Sequence, residues 1–552
     1  MTYTAFHPVR QVSIAFFVLA ITIAGCTPPP PPATSTSGQP PTPVGVTGSV
    51  QPTMEPNVTV SATVQTSTGP SSTATAISTP TEQESLSQAT ATAEATASAT
   101  AGASASATTV MALTPTPSPR LTSPLPMPPL PLETTFGVEM GEINVNGGLP
   151  QVRAAGTRWV RRAGIPWNAV EPAEGQRNWS ALSGLESEFR TAADQGFKVI
   201  AVVRQTPAWA QAVPGHSCGP IRQDKLDAFA SFMHDLVLRY AAPPYNVRYW
   251  EIWNEPDIDY HLVATNSLWG CWGDANDDYY GGGYYAAMLK AIYPQVKQAS
   301  PESQVLVGGL LLDCDPRNPP VGKDCKPSRF FEGILRSGGG NYFDGVAFHA
   351  YDYYDQPTLG EYYNPGWHAS SSTTGPVVGV KAEYLRELLF RTGIPHKYLI
   401  NTEMALVCGT GTEPRCQTQD FQNTKAAYVV ESYLTALTQG LRASIWYTLQ
   451  GWRGSGLLNS QRQPTPAYAA YRYAAQQFAG VTDIRDLSLG NGVKAYELNR
   501  PQGHLWVLWS TDSASHSVVL PSTPQTETDL TGQLLPTASS IEIGPLPVYI
   551  TW

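Results

Sequence analysis

The stretch "RYWEIWNEPD", Arg248 to Asp257, is a near-continuous aromatic and apolar run that ends on Asn254, Glu255 and Pro256. A run this short and this apolar reads as a strand buried on both faces, which belongs in a parallel sheet covered by helices. Seven similar runs flank it. They are "TFGVEM" near Phe136, "TRWVRR" near Val160, "KVIAVV" near Ile200, "QVLVGG" near Leu306, "FDGVAFH" near Val346, "KYLINTE" near Ile400 and "ASIWYTL" near Trp446. Between them lie stretches such as "KLDAFASFMHDLVLRYA" and "KAAYVVESYLTALTQG", with apolar residues at helical i, i+3, i+4 spacing. Eight strand–helix units predict a closed (β/α)8 barrel. An open doubly wound sheet is the runner-up, but no glycine-rich phosphate loop follows the first strand.

In such a barrel the chemistry sits where the strands end. Strand two ends near Arg161 and Arg162, strand four on Asn254 and Glu255, strand six on His349 with Tyr351 beyond, strand seven on Glu403, and strand eight offers Trp446. Two carboxylates across a pocket suit glycosidic bond cleavage, one protonated to serve the leaving oxygen and one ionised to attack the anomeric carbon. Asn254 suits a sugar hydroxyl, an arginine near Glu403 keeps that carboxylate charged, and aromatic rings suit the apolar faces of pyranoses.

Several of these motifs resemble those of clan A glycoside hydrolases. "EIWNEP" is similar to the strand-four motif, "YLINTEMAL" to the strand-seven motif and "GVAFHAY" to the strand-six His-x-Tyr. "RWVRRAGIPWNAVEPAEGQRNW" resembles the strand-two region, and the likeness runs the length of the barrel, nearest to family 39 β-xylosidases and then to family 5 endoglycanases. The resemblance implies Glu255 as acid/base, Glu403 as nucleophile and Asn254 as the ligand of a sugar 2-hydroxyl. His349 and Tyr351 would orient the carboxylates and the sugar. Spacing to Trp167 favours Arg162 over Arg161 as the strand-two arginine, although either can point inward. Met404 departs from the family, which often has an aromatic or small residue after Thr-Glu; this bears on the subsite.

The ends of the chain have a different character. Residues 1–26 read as an export signal: Arg10, then an apolar run from Val12 to Ala24 that is shorter than the roughly 20 residues of a membrane span. It closes on "IAGC", which resembles the lipobox of bacterial lipoproteins, with Cys26 as the lipidated residue. Residues 27–131 are mostly Pro, Thr, Ser, Ala and Gly, a composition that cannot offset its chain entropy and predicts a disordered tether. The barrel is expected over 132–480. From 481 to 552, short alternating strands divided by Gly, Pro and Asn predict a small β-sandwich that stabilises the barrel.

Without Cys26, six of the seven cysteines remain, an even number suited to an oxidising compartment. Proximity in sequence favours Cys314–Cys325 and Cys408–Cys416, which leaves Cys218–Cys271, but six cysteines allow fifteen pairings. No C-x-x-C occurs and no histidine clusters with these positions, so no metal site is expected there. The loops "WGDANDD" and "DCDPRNPPVGKDC" lack the spacing of a known calcium loop. The net charge of −10 and the charged fraction of 14% argue against a nucleic-acid partner. The expected partners are a carbohydrate substrate and, through the lipid alone, a membrane; no cofactor is expected. The rival readings are a non-catalytic glycan-binding lipoprotein, which should have lost one of the two glutamates, and a transglycosylase with the same residues.

Overall fold

The computed structural model describes residue 130 and residues 134–355, 358–490 and 492–552. The expected export signal, Cys26 and the tether lie outside the described residues, except for Leu130, which is half-buried against the core.

Eight parallel strands form the barrel. They are β1 (Phe136–Glu139), β2 (Trp159–Pro166), β3 (Lys198–Arg204), β4 (Tyr249–Asn254), β5 (Gln304–Leu310), β6 (Gly345–Tyr353), β7 (Tyr398–Val407) and β8 (Ser444–Trp446). Each pairs with its neighbours in sequence, and β8 returns to β1, with Phe136 opposite Ser444, to close the ring. The open-sheet alternative is thereby excluded. All six residues of β4 are buried, as expected of a strand covered on both faces.

The pleat sorts side chains between two cores. Trp159, Ile200, Tyr249, Leu306, Ala347, Ile400, Ala443 and Ile445 point inward and fill the floor of the barrel. Alanines at 347 and 443 leave room for the large rings of Trp159 and Tyr249, whose centroids are 4.7 Å apart. Their strand neighbours, among them Val160, Val199 and Val346, point outward into the core shared with the helices. Helix Leu226–Tyr240 turns Phe229, Met233, Leu236 and Val237 onto the sheet, the face read from its spacing. Helix Gln419–Thr438 begins before the apolar run that announced it, because the Thr418 hydroxyl caps it by accepting a bond from Phe421 N–H at 3.2 Å. It is buried almost all round, with helix Pro466–Gln477 covering its outer side.

Beyond the barrel, strands Asp483–Asp486, Val493–Arg500, Gly503–Ser510, Val548–Thr551 and Thr526–Thr528 form an antiparallel sheet in that spatial order. One face packs on the last barrel helix, with Tyr549 stacked edge-on against Tyr473 at 5.0 Å. The other sets Ala495, Leu508 and Ile550 against Val518, Ile541 and Ile543 of a two-stranded sheet. This is a lopsided sandwich of five strands over two.

Candidate active site

The mouth of the barrel is built by breaking the pleat that orders its floor. A regular strand sends consecutive side chains to opposite faces. At the end of β4, Trp253 adopts φ +72° and Glu255 φ +49°, a left-handed conformation unusual for bulky residues. Trp253 therefore packs outward against Trp272 and Phe229, while Asn254 and Glu255 both reach the pocket. At the end of β7 a bulge does the same work: Phe348 pairs with Asn401 but His349 pairs with Glu403. Asn401 locks the bulge, its side-chain amide donating to the carbonyls of Phe348 (2.9 Å) and Glu403 (3.1 Å). Gly309 of β5 admits the His349 ring, since a Cβ there would collide with Nε2.

Arg161 is the centre of this cluster. Its alternation with Trp159 turns it inward, and it is fully buried. Nη1 donates to Glu139 at 2.5 Å and to Glu403 at 2.6 Å; Nη2 donates to Glu251 at 2.6 Å and to Asn254 at 2.5 Å; Nε donates to Glu251 at 3.2 Å. Burial alone would lower its pKa, but Glu139, Glu251 and Glu403 together hold it well above its ordinary range. The preference for Arg162 is corrected. Arg162 shares the outward face of Val160 and pairs there with Glu188 of helix Ser183–Asp194 at 2.7 Å.

The two carboxylates have unlike neighbours. Glu403 Oε1 accepts from Arg161, and Oε2 accepts a short bond from the Tyr351 hydroxyl. Glu255 Oε1 lies 2.9 Å from His349 Nδ1, and the same nitrogen is 3.4 Å from Glu403 Oε2. Burial pushes Glu255 up to about 7, with Arg161 opposing only through space. Burial raises Glu403 too, against His349 and Arg161. Glu403 alone of the two is bonded to a guanidinium, which favours its charged form, whereas Glu255 has no such partner. Burial also lowers His349 to about 4, which keeps its ring neutral near pH 7.

One oxygen of Glu255, one of Glu403 and one ring nitrogen of His349 lie within 4.8 Å of one another, a set that can be drawn as metal ligands. Arg161 and Tyr351 already occupy both oxygens of Glu403, and a cation there would face the guanidinium. The donor set is therefore poorly suited to a metal ion. In the two acidic loops, Asp277 accepts from the backbone of Tyr279 and Gly281, and Asp315 pairs with Arg317.

Trp446 does not line the pocket. Ala443, just before β8, and Ile445 within it point inward, so Trp446 faces the helices, fully buried, and donates to Ser455 O at 3.0 Å. Tyr447, the next residue, is the ring at the mouth, 6.0 Å from Tyr351; Trp452 stands 5.7 Å from Tyr351 and is 45% exposed. Sequence reading missed Glu139, Glu251, Tyr447 and Trp452. Glu251 did carry a signal, because a charge inside an otherwise apolar buried strand requires a buried partner. Below the rim, Lys381 Nζ donates to the carbonyls of Leu311 (2.7 Å) and His349 (2.9 Å), and Asp257 accepts from Leu311 and Leu312 N–H. These bonds fix the ends of β5 and β6. Disulfides Cys218–Cys271, Cys314–Cys325 and Cys408–Cys416 are formed, all in loops on this side.

No family model and no curated protein matches the chain. Solved structures do resemble it. A family 39 glycoside hydrolase from the gut symbiont Bacteroides cellulosilyticus has a TM-score of 0.57 at 20% identity, over 76% of this chain and 81% of that one. A conserved exported protein from Bacteroides fragilis has a TM-score of 0.54 at 10% identity, over 76% of this chain and 98% of that one. At these identities the likeness shows the barrel fold.

Proposed function

We propose that the protein is a retaining glycoside hydrolase acting on β-linked sugars, with Glu403 as nucleophile and Glu255 as acid/base. The observation that carries this reading is a pair of carboxylates whose oxygens approach within 4.8 Å, only one of them bonded to a guanidinium. Inverting enzymes hold their carboxyl groups roughly 6.5–9.5 Å apart to admit a water, whereas retaining enzymes hold them about 5–5.5 Å apart. Glu403 attacks the anomeric carbon as the bond to the leaving oxygen breaks, and Glu255 gives its proton to that oxygen. Glu255, now a carboxylate, takes a proton from water, and the resulting hydroxide displaces Glu403. Asn254, held by Arg161, is oriented for the sugar 2-hydroxyl. Tyr351 and Arg161 fix the two oxygens of Glu403, and His349 aligns the pair. The fold's likeness to a family 39 glycoside hydrolase supports the reading.

The disulfides favour an oxidising compartment, and one structural neighbour is described as exported. This agrees with a chain tethered to a membrane through lipid on Cys26, which mass spectrometry of the mature N-terminus tests.

Separate variants test the roles. Glu403→Ala abolishes turnover on every aryl glycoside. Glu255→Ala loses about 10²–10⁴-fold on substrates with poor leaving groups, keeps fast glycosylation of activated phenols, and recovers with azide. A fluorosugar inactivator labels Glu403. A label on Glu255, or a first product of inverted configuration by NMR, refutes the assignment.

A further inference from the structure

Arg204 closes β3. Ile200 points into the barrel floor while Val199, Ala201 and Val203 face the helices, so the pleat turns Val202 and Arg204 inward. Val202 pairs with Glu251 beside Arg161, which places Arg204 one inward step higher, at the rim. Its Nη1 donates to Leu268 O at 3.0 Å. Nε is buried without a partner, and among the described residues no carboxylate pairs with the guanidinium.

The Nε–Nη2 edge is the one with which an arginine grips a carboxylate side-on. The protein uses it in this way elsewhere: Arg161 on Glu251, Arg162 on Glu188 and Arg317 on Asp315. At Arg204 no carboxylate of the described residues meets that edge. Glu139 and Glu403 attract the group through space, yet both are bonded to Arg161. Burial, then the charge of Arg161, pulls Arg204 down to about 10. A partly buried cation held beside another cation and lacking an ion pair is stabilised by any anion that reaches it.

The surroundings fit a sugar. Trp269, next to Leu268, is 43% exposed. Its loop is fixed to the end of β4 by Gly270 N–H donating to Asn254 O at 2.9 Å, and to the loop after β3 by Cys218–Cys271. Trp269 and Arg204 thus stand beside the strand end that carries Asn254. A hydroxyl brings the guanidinium only a hydrogen bond, whereas a carboxylate or sulfate also brings the opposite charge that Arg204 lacks.

We infer that Arg204 is an anion-reading residue of the pocket and that the substrate is an acidic sugar bearing a carboxylate or a sulfate. The inference rests on the glycosidase reading for cleavage but not for binding.

Binding to the full chain is measured by calorimetry for methyl β-D-glucuronide, methyl β-D-galacturonide and methyl β-D-glucoside 6-sulfate, each beside its neutral parent. At least one charged sugar is expected to bind about tenfold more tightly than its parent. The uronide and sulfate arms then identify the anion. Arg204→Gln should erase the preference, and Arg204→Lys should keep part of it with the circular dichroism of the wild type. Three results overturn the inference: neutral sugars binding as well as charged ones, no charged sugar binding, or a preference that survives Arg204→Gln. The 4-nitrophenyl glycosides of the same sugars are assayed in parallel. Charge-selective binding without cleavage of any of them refutes the glycosidase reading and leaves the anionic pocket standing.

Discussion

At the floor of the barrel, β2, β3 and β4 contribute Trp159, Ile200 and Tyr249; one inward step higher, the same strands contribute Arg161, Val202 and Glu251. The floor is apolar, regularly pleated and filled by shape alone. The mouth is charged, its pleat broken at Trp253 and at the β7 bulge, and each buried group there depends on a particular partner. A core of the first kind tolerates small changes gradually. A core of the second kind depends on its least replaceable member, which here is Arg161.

The contrast is broken most directly at that residue. Arg161→Met strands the carboxylates of Glu139, Glu251 and Glu403 and is expected to cost about 3–5 kcal/mol in urea denaturation at pH 7. Part of the loss should return near pH 5, where the stranded acids take up protons. A loss below about 1 kcal/mol would mean that the cluster does not hold the mouth together.

The second test is pH. Burial raises Asp257 and Asp352 to about 7 and Glu431 to about 8, all above their unfolded values. The folded state binds these protons more tightly, so their contribution is complete below pH 4 and is lost as pH rises toward 7. His349, lowered to about 4, works in the opposite direction, but it is one group against several. Stability should therefore decline between pH 5 and 7, by up to about 1.4 kcal/mol per pH unit for each group. A steady rise over that window would contradict the assignment.

The smallest effect belongs to the floor. Ile445→Val removes one methylene from a regular layer and should cost about 0.5–1.5 kcal/mol, with kcat/KM per folded molecule unchanged. If activity falls with stability, floor and mouth are coupled more tightly than their packing implies.

The two regions also differ in how far they could be read from sequence. Eight apolar runs with helical stretches between them announced the barrel, and Asn254, Glu255, His349, Tyr351 and Glu403 stood at the strand ends that form one mouth. Alternation, however, says which residues share a face and not which face is inside when both are apolar. Trp159 and Val160 are equally buried, so nothing in "WVRR" chooses Arg161 over Arg162. Trp446 was misread for the same reason: Ala443 and Ile445 face in, so Tyr447 and not Trp446 reaches the site. The positive φ at Trp253 and the bulge held by Asn401 depend on contacts from other strands, which no local pattern records.

The seam between Phe136 of β1 and Ser444 of β8 has a consequence in time. The ring cannot shut until its eighth strand exists and has found its first, so closure waits on a loop spanning almost the whole barrel. Until then the growing sheet carries two bare edges, each able to pair with a neighbouring chain. Assembly is accordingly slow and exposed to misassociation during synthesis, and slowest at the junction that the finished molecule hides best.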